Sequence, residues 1–344
     1  MLRRWQFWLG AGISAFFLVW ALQGLSLGEV WQHMVGANYL WLLPGVLAYF
    51  IAVWARAWRW HHLLRPIKVI PLQTMWSPVV IGYMGNNIFP FRAGEIIRAY
   101  VLKRKEGVSM GAGLATVIVE RVFDGLVMLI FVLLGLPRVP NLPPLLKQTV
   151  IFGSLLFGIA LIVLGVWAVK PQQVQTVYSY LCNRFIPQKF RGPLLTVADN
   201  FTEGLSSLRN LQDLLMVFLT SIIIWLLETV KYWFVTYAFG FSISFFALML
   251  MNGVVNLATT LPSAPGYIGT FDKPGIEVLT IFGVERGLAA GYTLVLHAAL
   301  WLPITLLGLW YMTREGLSWR EFKRAAETEA KTPTTSTVSS SDHK

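Results

Sequence analysis

Charged side chains inside long apolar runs are the residues of this chain most able to do chemistry. Arg121 lies near the middle of such a run, between Glu120 and Asp124. A charge at bilayer depth costs roughly 2.5–3.5 kcal/mol on insertion scales, so it is usually paired or faces water. Arg121 and Asp124 are three residues apart and would share one helix face. The pattern leaves open a structural ion pair or an arginine fork that binds a phosphate.

Two later apolar runs carry similar groups. Glu228 and Lys231 form a second pair at three-residue spacing, for which a structural role is the favoured interpretation. His297 stands alone in the last apolar run, where a histidine is more often a hydrogen-bonded packing residue than a ligand.

The segment from residue 86 to residue 98 interrupts an apolar run. Its polar and helix-breaking residues are Asn86, Asn87, Pro90 and Gly94. Its charged residues are Arg92, Glu95 and Arg98, whose spacing places them on one helix face. A half-helix beginning near Ala93 would present free N–H groups and a positive dipole end, which with Arg92 could hold a phosphate. The alternative is an ordinary basic flank of a membrane span.

A second broken segment lies within residues 241–271, and its interrupting residues are Asn256, Pro262, Pro265, Gly266 and Gly269. Non-helical backbone at membrane depth is tolerated only where it is buried in protein or lines a wet cavity. If either segment crossed fully, the basic clusters of the chain would no longer fall on one side, against the positive-inside rule. We therefore predict that both segments are re-entrant.

Composition sets the fold class. The chain is 56% hydrophobic and 13% charged, and its uncharged runs reach the roughly 20 residues that cross a bilayer. We predict an all-α polytopic membrane protein with about six full transmembrane helices plus the two re-entrant segments. The predicted spans cover residues 5–28, 37–58, 109–136, 148–169, 214–238 and 287–312. The basic residues at the end of the second span, which include Arg56 and Arg59, are interpreted as a cytoplasmic flank.

The net charge of +11 is explained by the positive-inside rule and anionic lipid headgroups, so no nucleic-acid partner is predicted. We expect the cell inner membrane, with both termini cytoplasmic. The one cysteine, Cys182, allows no intrachain disulfide, and no metal site or cofactor is predicted. Catalytic motifs such as a P-loop or Gly-x-Ser-x-Gly are missing from the sequence, so no enzyme activity is predicted.

The two halves of the chain align weakly with each other. Pro90 corresponds to Pro265, Gly94 to Gly269 and Arg56 to Lys231, and one inserted residue then brings Arg121 to His297. Inverted repeats with broken helices near the midplane are typical of transporters. The predicted transmembrane domain covers 1–312, with repeats at about 37–136 and 213–312 and a cytoplasmic amphipathic connection at 170–212. A basic and then disordered tail covers 313–344.

These motifs resemble a known family. Asn87-x-x-Pro90-x-Arg92-x-Gly94-Glu95-x-x-Arg98, Glu120-Arg121-x-x-Asp124 and Pro262-x-x-Pro265-Gly266-x-x-Gly269 are similar to the signature of the lysylphosphatidylglycerol synthase membrane-domain family, also called flippase-like or UPF0104 proteins. The resemblance covers about residues 5–312. It implies movement of modified or polyprenyl-linked lipids across the bilayer. Only a short tail follows residue 312, so the resemblance does not extend to the aminoacyl-transferase domain of the lysyl-lipid synthases.

The leading hypothesis is therefore a translocase for an anionic phospholipid or polyprenyl-linked lipid. The predicted headgroup-binding residues are Arg92, Arg98, Arg121, Lys231 and His297. The predicted cavity-lining or supporting residues are Asn86, Asn87, Pro90, Gly94, Glu95, Glu120, Asp124, Glu228, Asn256, Pro262, Pro265, Gly266 and Gly269. The alternative is a membrane scaffold that presents lipid to a separate lipid or glycan transferase. A membrane-embedded acid–base enzyme is a third reading. Membrane lipids are the expected partners, and a transferase partner and an oligomer are left open.

Overall fold

The computed structural model describes residues 26–89, 92–138, 144–260 and 265–318, with six isolated residues before them. Twelve α-helices and no β-strand occur in these ranges, which confirms the all-α prediction. The helices are α1 Leu27–Val35, α2 Leu42–Leu64, α3 Leu72–Ile88, α4 Gly94–Glu106, α5 Met110–Gly135, α6 Pro144–Val169, α7 Pro171–Phe185, α8 Gln188–Gly204, α9 Leu211–Ala238, α10 Phe245–Ala258, α11 Asp272–Ile281 and α12 Arg286–Arg314. Short 3-10 turns cover Tyr39–Trp41, Leu136–Arg138, Ser206–Arg209 and Pro265–Tyr267.

Four stretches of the described chain are long and apolar enough to cross a membrane: Tyr39–Leu64, Ile151–Val169, Leu211–Ala238 and Arg286–Arg314. Helix α5 is 26 residues long but carries Glu120, Arg121 and Asp124 near its middle. Its length matches a full span, and its charges need partners inside the bundle. The first predicted span, at residues 5–28, lies mostly outside the described residues.

The first broken segment folds as an antiparallel pair of helices, α3 and α4, which we call hairpin 1. Glycines let the two backbones approach closely, since a β-carbon on Gly82 would lie 2.9 Å from the β-carbon of Arg98 and 3.0 Å from the carbonyl oxygen of Gly94. At the open end, Lys68 Nζ donates to Glu106 Oε2 at 2.9 Å. The chain therefore enters and leaves this hairpin at the same end, as a re-entrant segment must.

The second broken segment forms a corresponding pair, α10 and α11, which we call hairpin 2. The two helices pack where Gly275 faces Met251, whose Cε would lie 2.9 Å from a β-carbon on that glycine. The tip of the hairpin contains the 3-10 turn Pro265–Tyr267. Each hairpin is followed by a long helix, α5 after hairpin 1 and α12 after hairpin 2.

The helix packing has the two-fold pattern that an internal repeat predicts. Helices α2 and α9 form the most extensive contact of the bundle. Helix α3 packs on α12, where Gly308 faces Met84, and α10 packs on α5, where Gly253 faces Val132. The first arm of each hairpin thus contacts the last helix of the other half. The exact repeat boundaries and the orientation in the membrane stay predictions.

The connection between the halves consists of α7 and α8, which pack on each other. The end of α8 also packs on the start of α5, where a β-carbon on Gly111 would lie 2.9 Å from that of Asn200. On its amphipathic stripe Leu205 is fully buried, whereas Leu194 and Val197 are exposed. Only the beginning of the stripe is therefore free to lie in a membrane interface, and its cytoplasmic location stays a prediction.

Candidate functional site

A cavity of about 350 Å³ lies in the centre of the bundle, between the two hairpins. Its polar and charged lining residues are Arg56, Asn86, Asn87, Arg92, Glu95, Arg121, Asp124, Glu228, Lys231, Asn256, Thr259, Thr260 and His297. Its aromatic lining residues are Tyr49, Tyr83, Phe157, Trp225, Tyr232, Tyr267, Phe271 and Trp301. Both broken segments contribute to the lining, so the structure brings together what the sequence separates.

Arg121 projects into this cavity from α5. Its Nε lies 3.2 Å from Glu95 Oε1, and its Nη1 lies 3.7 Å from Asp124 Oδ2. The side chain keeps 28% of its surface exposed. Within the described ranges, neither Arg121 Nε nor Glu95 Oε1 makes a hydrogen bond of acceptable geometry, although both atoms are buried. Spacing along the helix predicts Asp124 as the main partner of Arg121, but Glu95 of hairpin 1 lies closer to it.

Asp124 is held mainly by Arg59, a residue that the sequence analysis placed in a cytoplasmic flank. That placement is wrong, because Arg59 is completely buried and donates from Nη1 to Asp124 Oδ1 at 2.7 Å. Arg59 Nη1 also donates to Ser221 Oγ at 2.6 Å. The signal that predicts such a cation is the presence of carboxylates in α5 that one neighbouring arginine cannot neutralise.

Two predicted site residues lie behind the cavity rather than in its lining. Arg98 pairs with Glu120 Oε2, and its guanidinium lies 4.7 Å from the centre of the Trp60 ring. The other oxygen of Glu120 accepts from Arg59 Nε at 3.3 Å. Arg98 therefore docks hairpin 1 onto α5, and its position differs from the headgroup-binding role predicted for it. Glu120 supports the network without facing the cavity.

A second charged group occupies the contact between α2 and α9. Arg56 Nη1 donates to Glu228 Oε1 at 2.7 Å, and Lys231 pairs with the other oxygen of the same carboxylate. The predicted Glu228–Lys231 pair is confirmed, and Arg56 was wrongly placed in the flank. Lys231 Nζ also lies 4.7 Å from the centre of the Tyr49 ring, a favourable cation–π contact. The corresponding cations of the two halves thus meet on one carboxylate.

The tips of the two hairpins meet at the cavity wall. Arg92 and Tyr267, which correspond at the same offset as Pro90 and Pro265, have φ angles of 52° and 59° and are in the left-handed region. Arg92 lies over the Tyr267 ring at 5.7 Å and donates from Nε to the Thr259 carbonyl at 3.3 Å. Left-handed non-glycine residues cost of order 1–3 kcal/mol and cluster at functional sites.

His297 is held by hairpin 2. Its Nδ1 lies 2.8 Å from Asp272 Oδ1, and its Nε2 lies 2.7 Å from the carbonyl oxygen of Gly266. The other Asp272 oxygen accepts the Gly269 N–H at 2.7 Å. The sequence does not single out Asp272 as a site residue, because Asp272 directly follows the second broken segment and looks like the polar end of that segment.

The asparagines and the remaining breakers have distinct places. Asn87 Nδ2 donates to Thr305 Oγ1 at 2.8 Å, which ties the tip of hairpin 1 to α12. Asn256 Nδ2 donates to the Asn252 carbonyl at 2.8 Å. Asn86 lines the cavity, and its Oδ1 is buried without a hydrogen bond to any described residue. Gly94, Gly266 and Gly269 act through their backbones, and Pro265 begins the 3-10 turn of hairpin 2. Pro90 and Pro262 lie outside the described residues.

Comparison with known proteins agrees with this architecture. The profile of the family described as "Lysylphosphatidylglycerol synthase TM region" matches residues 7–308. The chain belongs to this family. A UPF0104 membrane protein of Methanothermobacter thermautotrophicus is 26% identical over 293 residues, which are 80% of this chain and 81% of that protein. A UPF0104 membrane protein of Pyrococcus horikoshii is 24% identical over 87% of this chain and 93% of its own length.

A third relative is of another kind. The glycosyltransferase AglD of Haloferax volcanii is 26% identical over 333 residues, which are 87% of this chain but only 53% of AglD. The family's transmembrane region therefore also forms about half of a larger protein. The resemblance read from the broken segments is confirmed, and these comparisons assign this chain to a family of membrane proteins.

Proposed function

We propose that this protein is a translocase for lipids with an anionic headgroup, either a phospholipid or a polyprenyl-linked lipid. The observation that carries the proposal is the polar cavity between two corresponding hairpins inside an otherwise apolar bundle. Paired broken helices at the midplane are where transporters of inverted-repeat architecture bind their substrates. The cavity offers cations, amides and aromatic rings together, which suits a phosphate-bearing headgroup with polar substituents.

Charge supports an anionic ligand. The lining cations are Arg56, Arg92, Arg121 and Lys231, and the lining carboxylates are Glu95, Asp124 and Glu228. These seven side chains carry one net positive charge, and a protonated His297 paired with Asp272 adds none. A buried uncompensated charge is costly, and a phosphodiester would neutralise it. An anionic lipid therefore fits this lining better than a zwitterionic or cationic one.

Unfilled hydrogen-bonding capacity points the same way. Arg121 Nε and Arg56 Nε are buried donors that make no hydrogen bond to a residue that the structure describes, although Arg121 Nε lies 3.2 Å from Glu95 Oε1, and both residues line the cavity. Buried polar groups in native proteins are nearly always satisfied, so each such atom calls for a ligand or water. Arginine forks bind phosphate oxygens with two parallel hydrogen bonds, and Arg121 has the exposed surface to do so.

The lipid tail can remain outside the cavity. Leu156 on α6 lines the cavity, and its neighbours Phe152, Leu155 and Ile159 are 59–64% exposed on the same helix. The cavity therefore borders the surface that faces the acyl chains. We assign the headgroup to the cavity and the tail to the α6 side, with Phe157 next to Gly125 at the boundary.

The test is lipid movement in vesicles that contain the purified protein. Wild-type protein is expected to accelerate the crossing of a labelled anionic lipid, and Arg121→Gln is expected to slow it about ten-fold or more, since a charge-assisted hydrogen bond contributes about 1.5–3 kcal/mol. The matched control is Arg184→Gln, which removes an exposed arginine of α7 and should change nothing. The proposal is contradicted if no anionic lipid crosses faster with protein than without it.

One comparison favours a second candidate, a membrane module that presents a lipid-linked substrate to a glycosyltransferase. AglD is named a glycosyltransferase, and this chain matches about half of it. In that case a transferase should co-purify with the protein, and Arg121→Gln should leave glycan transfer intact while vesicle assays show no lipid movement.

A further inference from the structure

The surroundings of His297 specify its protonation state. With Asp272 ionised, both ring nitrogens face oxygen atoms that can only accept hydrogen bonds: a carboxylate oxygen of Asp272 at 2.8 Å and the Gly266 carbonyl oxygen at 2.7 Å. Neutral imidazole has one N–H, so one of its nitrogens would direct a lone pair at an oxygen. Only the doubly protonated imidazolium donates to both. This conformation of the chain therefore holds a proton on His297.

We propose that His297 is the proton-binding site of this protein, and that release of the proton separates α12 from the tip of hairpin 2. This proposal rests on the proposed function, because it supplies the coupling ion of the lipid translocase. The corresponding residue in the first half is Arg121, which stays charged at any physiological pH. Arg121 in the first half is thus permanently charged, whereas His297 in the second half loses its charge when it releases a proton.

The tip of hairpin 2 is suited to respond to the proton. Tyr267, the residue after Gly266, has a φ of 59°, so the turn that supplies the accepting carbonyl already contains a non-glycine residue in a sparsely populated conformation. When His297 loses a proton, an attractive hydrogen bond becomes a contact between a lone pair and an oxygen. The strained turn then loses a contact that holds it. The Arg92 guanidinium lies over the Tyr267 ring, so movement of the turn also shifts the position of Arg92 in the cavity wall between the two hairpins.

The other charged groups around α12 do not remove this effect. From α11, Lys273 is held by Glu277 at 2.6 Å, and from α1, His33 pairs with Glu285 at 3.1 Å near the start of α12. Across the cavity, the facing titratable and charged residues are Tyr49, Arg56, Tyr83, Arg92, Glu95, Arg121, Asp124, Glu228, Lys231, Tyr232 and Tyr267. Asp272 is the carboxylate in direct contact with the imidazole. His33 is the other histidine near α12 and serves as a control.

Proton binding and lipid binding would favour each other. The proton raises the net charge of the cavity lining and Asp272 together from zero to one positive charge, so it strengthens the attraction for an anionic headgroup. By linkage, a bound anionic lipid must raise the affinity of His297 for its proton. A proton gradient could then drive lipid movement without a nucleotide.

The experiment uses a nitroxide spin label at the tip of hairpin 2 in the full-length protein. Cys182 is the only cysteine, so Cys182→Ser with Thr260→Cys gives one labelling site on an exposed, cavity-lining residue. The label is attached at one pH, and its mobility is then recorded by EPR across the range of imidazole titration, about pH 5 to 8. We expect mobility to rise with pH through one transition. His33→Gln should keep this transition.

Two variants separate a proton switch from a general pH effect. His297→Arg keeps the charge and should hold the label at low mobility throughout. Asp272→Asn lets a neutral imidazole accept from the amide at Nδ1 and donate to Gly266 at Nε2, so its spectrum should also lose the pH dependence. A wild-type spectrum without a transition, or the same transition in both variants, overturns the proposal. The readout contains no lipid transport, so a switch without lipid movement in vesicles would contradict only the proposed function.

Discussion

The two halves of the bundle solve one structural problem with different chemistry. In the first half, the cation of the long helix is Arg121, and it is held by Glu95 of hairpin 1. In the second half, the corresponding position is His297, and it is held by Asp272 of hairpin 2. Each hairpin thus supplies a carboxylate to a basic side chain on the helix that follows it. Under the two proposals above, the difference separates a permanently charged anion-binding group from one that loses its charge with a proton.

The same contrast holds at the hairpin tips and on the central axis. Arg92 and Tyr267 occupy corresponding left-handed positions, and the cation of one tip lies on the ring of the other. Arg56 and Lys231 correspond as well, and both bind Glu228. The backbone follows the repeat, whereas the side chains complement each other. Such a site needs both halves, since neither half alone supplies the pair.

The largest effect is expected at the contact between α2 and α9, where the two halves of the bundle meet. Glu228→Gln removes the carboxylate shared by Arg56 and Lys231, both of which are buried. Breaking a buried ion pair by removing one partner costs about 3–5 kcal/mol, because the other charge is left uncompensated. We expect a lower yield of folded protein and a lower thermal midpoint by size-exclusion chromatography after heating.

The matched control is the double variant Glu228→Gln with Lys231→Met. It removes one cation with the carboxylate, so it should recover part of the lost thermal stability. A double variant no more stable than the single one would show that the pair is not what joins the halves.

A smaller effect is expected at the tip of hairpin 2. Gly266→Ala adds a β-carbon to a residue with a φ of 72°, at 2.8 Å from Trp301 Nε1. Gly283→Ala imposes similar backbone strain, with φ at 85°, but in open space. Left-handed strain alone costs about 1–2 kcal/mol. Gly266→Ala should therefore lower the thermal midpoint more than Gly283→Ala, and equal shifts would mean that the tip contact with α12 is loose.

Exchanging the basic groups sharpens the comparison directly. Arg121→His should make lipid movement pH-dependent in the first half, since neutral histidine at high pH offers no charge to the headgroup. His297→Arg should remove the pH dependence of the wild type while keeping movement at low pH within about two- to three-fold. Vesicle assays at several pH values measure both. Identical pH profiles in all three proteins would contradict the assignment of different roles.

The smallest effect is expected at Glu315, the residue after α12, where the end of this helix meets hairpin 1. Burial opposes ionisation of Glu315, but hydrogen bonds from Lys105 at 2.5 Å and Ser77 at 2.8 Å lower the pKa of Glu315 overall. The stabilisation is therefore present above the ordinary glutamate pKa and is lost as pH falls through the lowered one. Glu315→Gln should cost about 1 kcal/mol or less near neutral pH. The thermal midpoints of the two proteins should converge in acid, and a gap that widens there would be the wrong sign.

The sequence predicts the architecture well, because membrane helices are recognisable by their length and apolar composition. The antiparallel hairpins followed from Gly, Pro and Asn in apolar runs together with the side on which basic clusters fall. The charged residues of α5 and α9 were correctly placed inside the bundle. Their local i, i+3 spacing is visible in a single helix.

Partners from distant segments were harder to predict. Arg59 follows Trp58 at what looks like the end of a span, so its burial depends on α5, which supplies Glu120 and Asp124. Arg98 has the spacing of a site residue but turns toward the α5 interface. Asp272 is identified only once the fold places it against His297. Helical spacing shows which residues share one face of a helix. It does not show which other helix packs on that face.

The central claim is that the cavity between the hairpins holds an anionic lipid headgroup. The most direct measurement is native mass spectrometry with lipid analysis on gently purified protein, comparing wild type, Arg121→Gln and the control Arg184→Gln. We predict that one anionic lipid class is enriched in wild type and in the control, and is lost from Arg121→Gln. The same bulk membrane lipids in all three samples would contradict the claim.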